Sequence, residues 1–194
     1  DGPVDISNKS VRIRGTGPLP WAAVVKWTGP GATFSVRNGT LDLENIRIER
    51  GAHYEYPKTE PGGAVYAVAS ALSMRKVELD SGDVSSPPLI VEQGDKPARV
   101  TADDTRLSGT GAGMLVRGPV KAKLTRVTFH WTSRPLAAWI DAAIELVDCR
   151  FIDSRGEPVI YAYEGAHVTV TGKQKPRVVA TRGSEASSFE DSFG

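Results

Sequence analysis

Ile144-Glu145-Leu146-Val147-Asp148-Cys149-Arg150-Phe151 alternates apolar and polar residues twice, with a step of two residues between the alternations. Ile144, Leu146, Cys149 and Phe151 hold the apolar positions. Period-2 alternation marks a strand with one buried face. The step at Val147-Asp148 interrupts that period. A tight bend there keeps both apolar pairs on one inner side, so the stretch reads as two short strands around a corner.

The template recurs. It fits Leu41, Leu43, Ile46, Ile48; Leu72, Met74, Val77, Leu79; Val100, Ala102, Thr105, Leu107; and Ala122, Leu124, Val127, Phe129. Thr105 is the weakest member. A looser copy opens the chain with Val4, Ile6, Val11 and Ile13, and a partial one closes it with Val168, Val170 and Val178. Between copies lies a third apolar piece, at residues 22–27, 64–68, 88–91, 114–116, 136–140 and 158–163. Three strands per turn, stacked in parallel, form a coil whose ladders close everywhere except at the two ends. Three short strands and their turns need roughly 22 residues. The early repeats are longer, so residues 51–63 and 81–87, rich in Gly, Pro, Ser and charge, leave as loops. The longest helix-like stretch is residues 135–143, and it is short.

Runs such as Leu41-Asp42-Leu43-Glu44-Asn45-Ile46-Arg47-Ile48 and residues 144–151 resemble the right-handed parallel β-helix repeats of the pectate-lyase-like superfold. The resemblance spans residues 4–179 and implies an all-β, single-stranded β-solenoid of about six to seven coils. The domain is drawn over residues 1–182, with a polar tail or end cap at 183–194. Similar repeats occur as segments of large bacterial multidomain proteins. The chain starts at Asp1, without an initiator Met or signal peptide, and ends in Gly194, ends that look like a cut from a larger protein or a processed form.

That superfold hosts lyases, hydrolases and esterases as well as plain binding scaffolds, so function has to be read from sites. Asp103 and Asp104 are the best catalytic candidates, because related galacturonan hydrolases use clustered acids. Both fall in the bend of their copy. Down the stack the second bend position reads Asn45, Lys76, Asp104, Arg126, Asp148, and the first reads Glu44, Arg75, Asp103. Strands stack about 4.8 Å apart, and opposite charges there are mutually favourable. An ion-pair ladder therefore accounts for these acids without catalysis. The exposed column Asp42, Ser73, Thr101, Lys123, Glu145, Thr169 lacks the converging carboxylates of a calcium-dependent lyase. Motifs resembling Asn-Thr-Asp, Gly-His-Gly and Arg-Ile-Lys are absent.

The second strands expose Arg12, Arg47, Glu78, Arg106, Thr128 and Arg150. Arg47, Arg106 and Arg150 are candidate contacts for an acidic ligand, since a guanidinium matches a carboxylate bidentately. The alternative is pairing with Glu49, Asp80 and the bend acids. Aromatic residues offer the better binding surface. Trp139, Tyr161 and Tyr163 project outward if Ala138, Ile140, Ile160 and Ala162 point in, and they would form a flat platform. Tyr54 and Tyr56, beside His53 in the longest loop, form a second candidate surface.

Other features exclude function classes. The net charge of +1 gives no field for nucleic acid. No run of about 18 apolar residues marks a membrane span. His53, His130 and His167 lack metal-ligand spacing, and Cys149, the single cysteine, falls at an inward position. No cofactor motif is present. The favoured reading is a non-enzymatic β-helix scaffold presenting an aromatic and arginine surface to a glycan or protein. The alternatives are a polysaccharide lyase or glycoside hydrolase acting on an acidic polysaccharide, and a structural module that assembles end to end.

Overall fold

A computed structural model describes residues 3–17, 21–50, 62–82, 86–153, 159–174 and 176–180, with the backbone alone of 185–189. The described residues are strands and turns without a helix. In chain order the strands are β1 (Val4–Ser7), β2 (Ser10–Arg14), β3 (Ala23–Trp27), β4 (Phe34–Arg37), β5 (Thr40–Arg50), β6 (Val65–Val68) and β7 (Ala71–Asp80). There follow β8 (Leu89–Glu92), β9 (Arg99–Asp103), β10 (Arg106–Ser108), β11 (Ala112–Arg117), β12 (Lys121–Thr125), β13 (Thr128–His130) and β14 (Arg134–Trp139). The last are β15 (Ala143–Val147), β16 (Arg150–Ile152), β17 (Val159–Tyr163), β18 (His167–Thr171), β19 (Arg177–Ala180) and β20 (Glu185–Phe189).

Two parallel sheets result. One stacks eight strands in the order β1-β4-β6-β8-β11-β14-β17-β19, of which β6, β8, β11, β14 and β17 are third apolar pieces. The other has twelve and holds the regular template copies; the closing copy is split, because Val168 and Val170 lie here while Val178 sits on the eight-stranded sheet opposite Ile160. Leu41 pairs with Leu72, Leu72 with Val100, Val100 with Ala122, Ala122 with Ile144, and Ile144 with Val168. The first residue of each copy thus sits on the first residue of the next, and the chain is solenoid-like.

One apolar core runs between the sheets. Leu41, Leu43, Ile48, Leu79, Leu107, Leu124, Phe129 and Leu146 are almost wholly buried in it. Phe129 pairs with Phe151 in register, and their rings stack at 5.4 Å. Thr105 and Cys149 share one inner column and solve the polar problem alike. The Thr105 hydroxyl donates to the Asp103 carbonyl (3.1 Å), and the Cys149 thiol donates to the Leu124 carbonyl (3.4 Å). Burial pushes the Cys149 thiol up to about 11, so it stays protonated.

The corner within each copy has a single backbone solution. Asn45, Lys76, Asp104, Arg126 and Asp148 all lie at φ between 47° and 54°. This left-handed region disfavours L-residues by roughly 1–2 kcal/mol, least for Asn and Asp. It persists because the ladder continues through the corner. The amides of Asp104, Arg126 and Asp148 donate to the carbonyls of Thr125, Val147 and Thr171 at 3.2, 2.8 and 2.9 Å. In the two early copies the strand runs on through the corner, as β5 and β7.

The opening of the chain departs from the expected register. Val11 and Ile13 pair with Leu41 and Leu43, whereas Ala23 and Val25 pair with Ile46 and Ile48. Residues 23–27 are therefore the second strand of the first repeat, not a third piece. Val4 and Ile6 belong to the eight-stranded sheet, on Phe34 and Val36. The insertion between Arg14 and Ala23 disguises the split copy. Residues 135–143, the longest helix-like stretch, supply β14 and the start of β15. The backbone of β20 pairs with β18, so the sheet continues past residue 182.

Leu124 is wholly buried and central in the stack. Leu124→Ala should lower unfolding free energy by about 2–5 kcal/mol in urea titrations. A change below about 0.5 kcal/mol, the surface range, would contradict its placement in the core.

Candidate functional site

The outer face of the eight-stranded sheet carries the aromatic residues. Leu136, Ala138, Ile160 and Ala162 are fully buried on the inner side. Strand alternation then turns Trp139, Tyr161 and Tyr163 outward, where each is half-buried. Trp139 pairs with Tyr163 across the ladder, and their rings stack at 5.1 Å, 18° apart. Tyr161 and Tyr163 stack at 5.8 Å and 8°. Ile140 does not point inward as expected. It is 47% exposed at φ 55°, because the strand ends at Trp139 and turns the corner there. A β-branched side chain in that region is a backbone outlier, and it adjoins the aromatic group.

Two arginines that the sequence reading passed over complete this surface. The Arg117 guanidinium lies 5.9 Å over the Trp139 ring, and that of Arg134 5.6 Å over the Tyr161 ring. Each is attracted to the ring face and holds the aromatic plane in place. Register was the available signal, since Arg117 pairs with Trp139. Further along the same face Tyr66 and Ile90 are buried. The Tyr66 hydroxyl donates to Glu92 (2.8 Å). Burial first, then Glu92, push that phenol up to about 12. Tyr54, Tyr56 and His53 lie outside the described residues.

The arginine column lies on the twelve-stranded sheet. Arg47, Glu78, Arg106, Thr128 and Arg150 follow one another in register. Arg12 does not join them. It pairs with Asp42 in the first-strand column, 3.2 Å from that carboxylate, and Val24 stands in its stead. Arg47 is held by Glu49 (2.8 Å) and Asp80 (2.9 Å). Arg106 donates to His130 Nδ1 at 2.6 Å, while His130 Nε2 lies 3.2 Å from Asp153. With Nδ1 accepting, Nε2 carries the proton. Arg150 is exposed and has no ion pair among the described residues.

The bend acids are tied to the corner cations. Arg126 reaches Asp104 at 2.7 Å and Asp103 at 2.5 Å. The Arg126 hydrogen bond, more than offsetting some desolvation, holds the Asp104 carboxyl below the usual carboxylate range. Two turns of the stack away, Glu44 is contacted by Arg12, Arg14 and Arg75. Burial raises the Glu44 pKa, and the three guanidinium groups together outweigh it, so its carboxyl also lies low. Lys123 meets Glu145 at 3.0 Å in the neighbouring column. Among the described residues no group of three His, Cys, Asp or Glu is placed to hold a metal ion, and no helix is long and apolar enough to cross a membrane.

No protein-family model matches the chain, and neither a curated protein nor a solved structure is significantly similar to it. The site rests on its geometry.

The lowered carboxylates make stability depend on acid. A depressed folded pKa contributes fully above the unfolded value, about 4 for Asp and Glu, and is lost as pH falls through the folded value. Unfolding free energy from urea titrations should therefore be flat near pH 7 and fall below pH ~4. Glu44→Gln should make that fall shallower. An acid dependence identical to the parent's would show that the three arginines do not hold Glu44.

Proposed function

We propose that this chain is a right-handed parallel β-helix of the pectate-lyase-like kind, in about six to seven coils, serving as a non-catalytic glycan-binding scaffold. The single observation that carries the binding reading is the stack of Trp139, Tyr163 and Tyr161 with its two flanking arginines. Handedness follows from the strong preference of parallel crossovers within one sheet, about 98% right-handed. The template copies in consecutive register support the coil architecture.

A sugar ring presents a flat face of C–H groups with hydroxyls at its rim. Aromatic planes bury the former and nearby donors engage the latter. The platform meets both needs on rigid strands, so little is lost to ordering when a ligand docks. Trp139 and Tyr163 sit on adjacent strands, and Tyr161 lies two residues along from Tyr163. The surface is thus wide enough for more than one ring. Arg134 faces it with donors for hydroxyl or carboxylate oxygens, and Arg117, whose Nη1 donates to Glu92 at 3.2 Å, faces it with its remaining N–H groups.

Screening the chain against immobilised glycans and then titrating the best binder by calorimetry tests this. Trp139→Ala should weaken binding about tenfold, or 1.4 kcal/mol, while the chain stays folded at the titration temperature by circular dichroism. Binding insensitive to Trp139 would reject the platform. Release of new reducing ends from a bound polysaccharide would replace the scaffold with an enzyme.

A further inference from the structure

The twelve-stranded sheet carries a separate groove of about 1020 Å³. Its lining includes five cations, Lys76, Arg106, Arg126, Arg150 and Lys173, against two carboxylates, Asp104 and Asp148. Arg126 is engaged by Asp103 and Asp104. Arg150 and Lys173 are exposed and have no ion pair among the described residues. The groove is therefore locally positive on a chain whose net charge is only +1.

Its centre is ordered. Arg106, Thr128 and Arg150 are consecutive in one outward column. Their backbones are about 4.8 Å apart per step, so two guanidinium stems stand about 9.6 Å apart with a hydroxyl between them. His130 fixes the Arg106 end by accepting a hydrogen bond at 2.6 Å, and Glu78 flanks it at 3.7 Å. A guanidinium set in advance loses less freedom when it binds.

We infer that this groove binds a tetrahedral oxyanion, a sulfate or phosphate ester carried on a saccharide, with Arg106 and Arg150 gripping it from either side and the Thr128 hydroxyl donating from below. A carboxylate offers two oxygens in one plane. A tetrahedral ester offers three free oxygens in different directions, which suits three donors that converge from different strands. Trp21 and Ile152 border the basic strip and supply apolar surface for the sugar. A nucleic-acid backbone is disfavoured, since Asp104 and Asp148 would face its continuous phosphates. This inference is independent of the aromatic platform, which lies on the other sheet.

Calorimetric titration of the full chain tests it with four probes: a sulfated disaccharide, the same disaccharide unsulfated, a sugar phosphate, and inorganic sulfate. The esters should bind at least about tenfold more tightly than the unsulfated sugar, the worth of one charge-assisted hydrogen bond. Whichever ester binds more tightly identifies the source of the oxyanion. Arg150→Ala and Lys173→Ala, both at exposed positions, should each weaken ester binding several-fold while leaving the thermal midpoint in place. Trp139→Ala should leave ester binding unchanged. Equal binding of sulfated and unsulfated sugar, no effect of Arg150→Ala, or tighter binding of a single-stranded oligonucleotide than of either ester would overturn the inference. Binding of inorganic sulfate alone, with neither sugar ester bound, would overturn it too.

Discussion

Parallel in-register pairing of each repeat with the next is the constraint on which everything else depends. It fixes the backbone ladder and, through the strand period, which side chains face the core. A slip of one residue would turn Leu124 and Leu146 outward and bring Lys123 and Glu145 into the core. Burying two hydrated charges costs several kcal/mol each, so the apolar columns lock the register. The corners add a second lock. Five of them place a left-handed residue at the same position, and the amides of Asp104, Arg126 and Asp148 are satisfied by the repeat that follows.

Register also assembles the two proposed surfaces on the outside. A residue and its neighbour in space are a whole repeat apart in sequence, yet their side chains lie side by side. That is how Arg117, Trp139 and Tyr163 become one surface, and how Arg106, Thr128 and Arg150 become another. Neither cluster is visible as a local motif. The ladders that stabilise charge use the same device, with Arg126 against Asp103 and Asp104, and Arg75 against Glu44. Exposed pairs such as Arg126 with Asp103 and Asp104 add little individually. Their consistent alternation mainly disfavours wrong neighbours, since like charges directly opposite repel.

The fold was legible in the sequence where the copies are regular. From Leu41 to Phe151 the inner positions named by alternation are the buried ones, even at Thr105 and Cys149, with only Phe151 partly open. Legibility failed where an insertion falls inside a corner. Residues between Arg14 and Ala23 separate two halves of one copy, so alternation alone puts Val25 in the wrong strand and Arg12 in the wrong column. Ile140 escapes the pattern because alternation says nothing about where a strand ends. The aromatic positions could be listed from sequence. Their stacking, and the parts played by Arg117 and Arg134, needed the register across repeats and could not be read along the chain.

Register is therefore the claim to measure directly. Ser73, Thr101, Lys123, Glu145 and Thr169 form one column on the outer face of the twelve-stranded sheet. Spin labels on Ser73→Cys and Thr169→Cys, in a Cys149→Ser background, give the distance by pulsed dipolar spectroscopy. Four strand spacings separate the two backbones, so the account predicts a narrow distribution centred near 19 Å, widened only by the label linkers. A broad distribution, or one centred beyond about twice that spacing-derived value, would contradict the stacking from which both proposed sites derive.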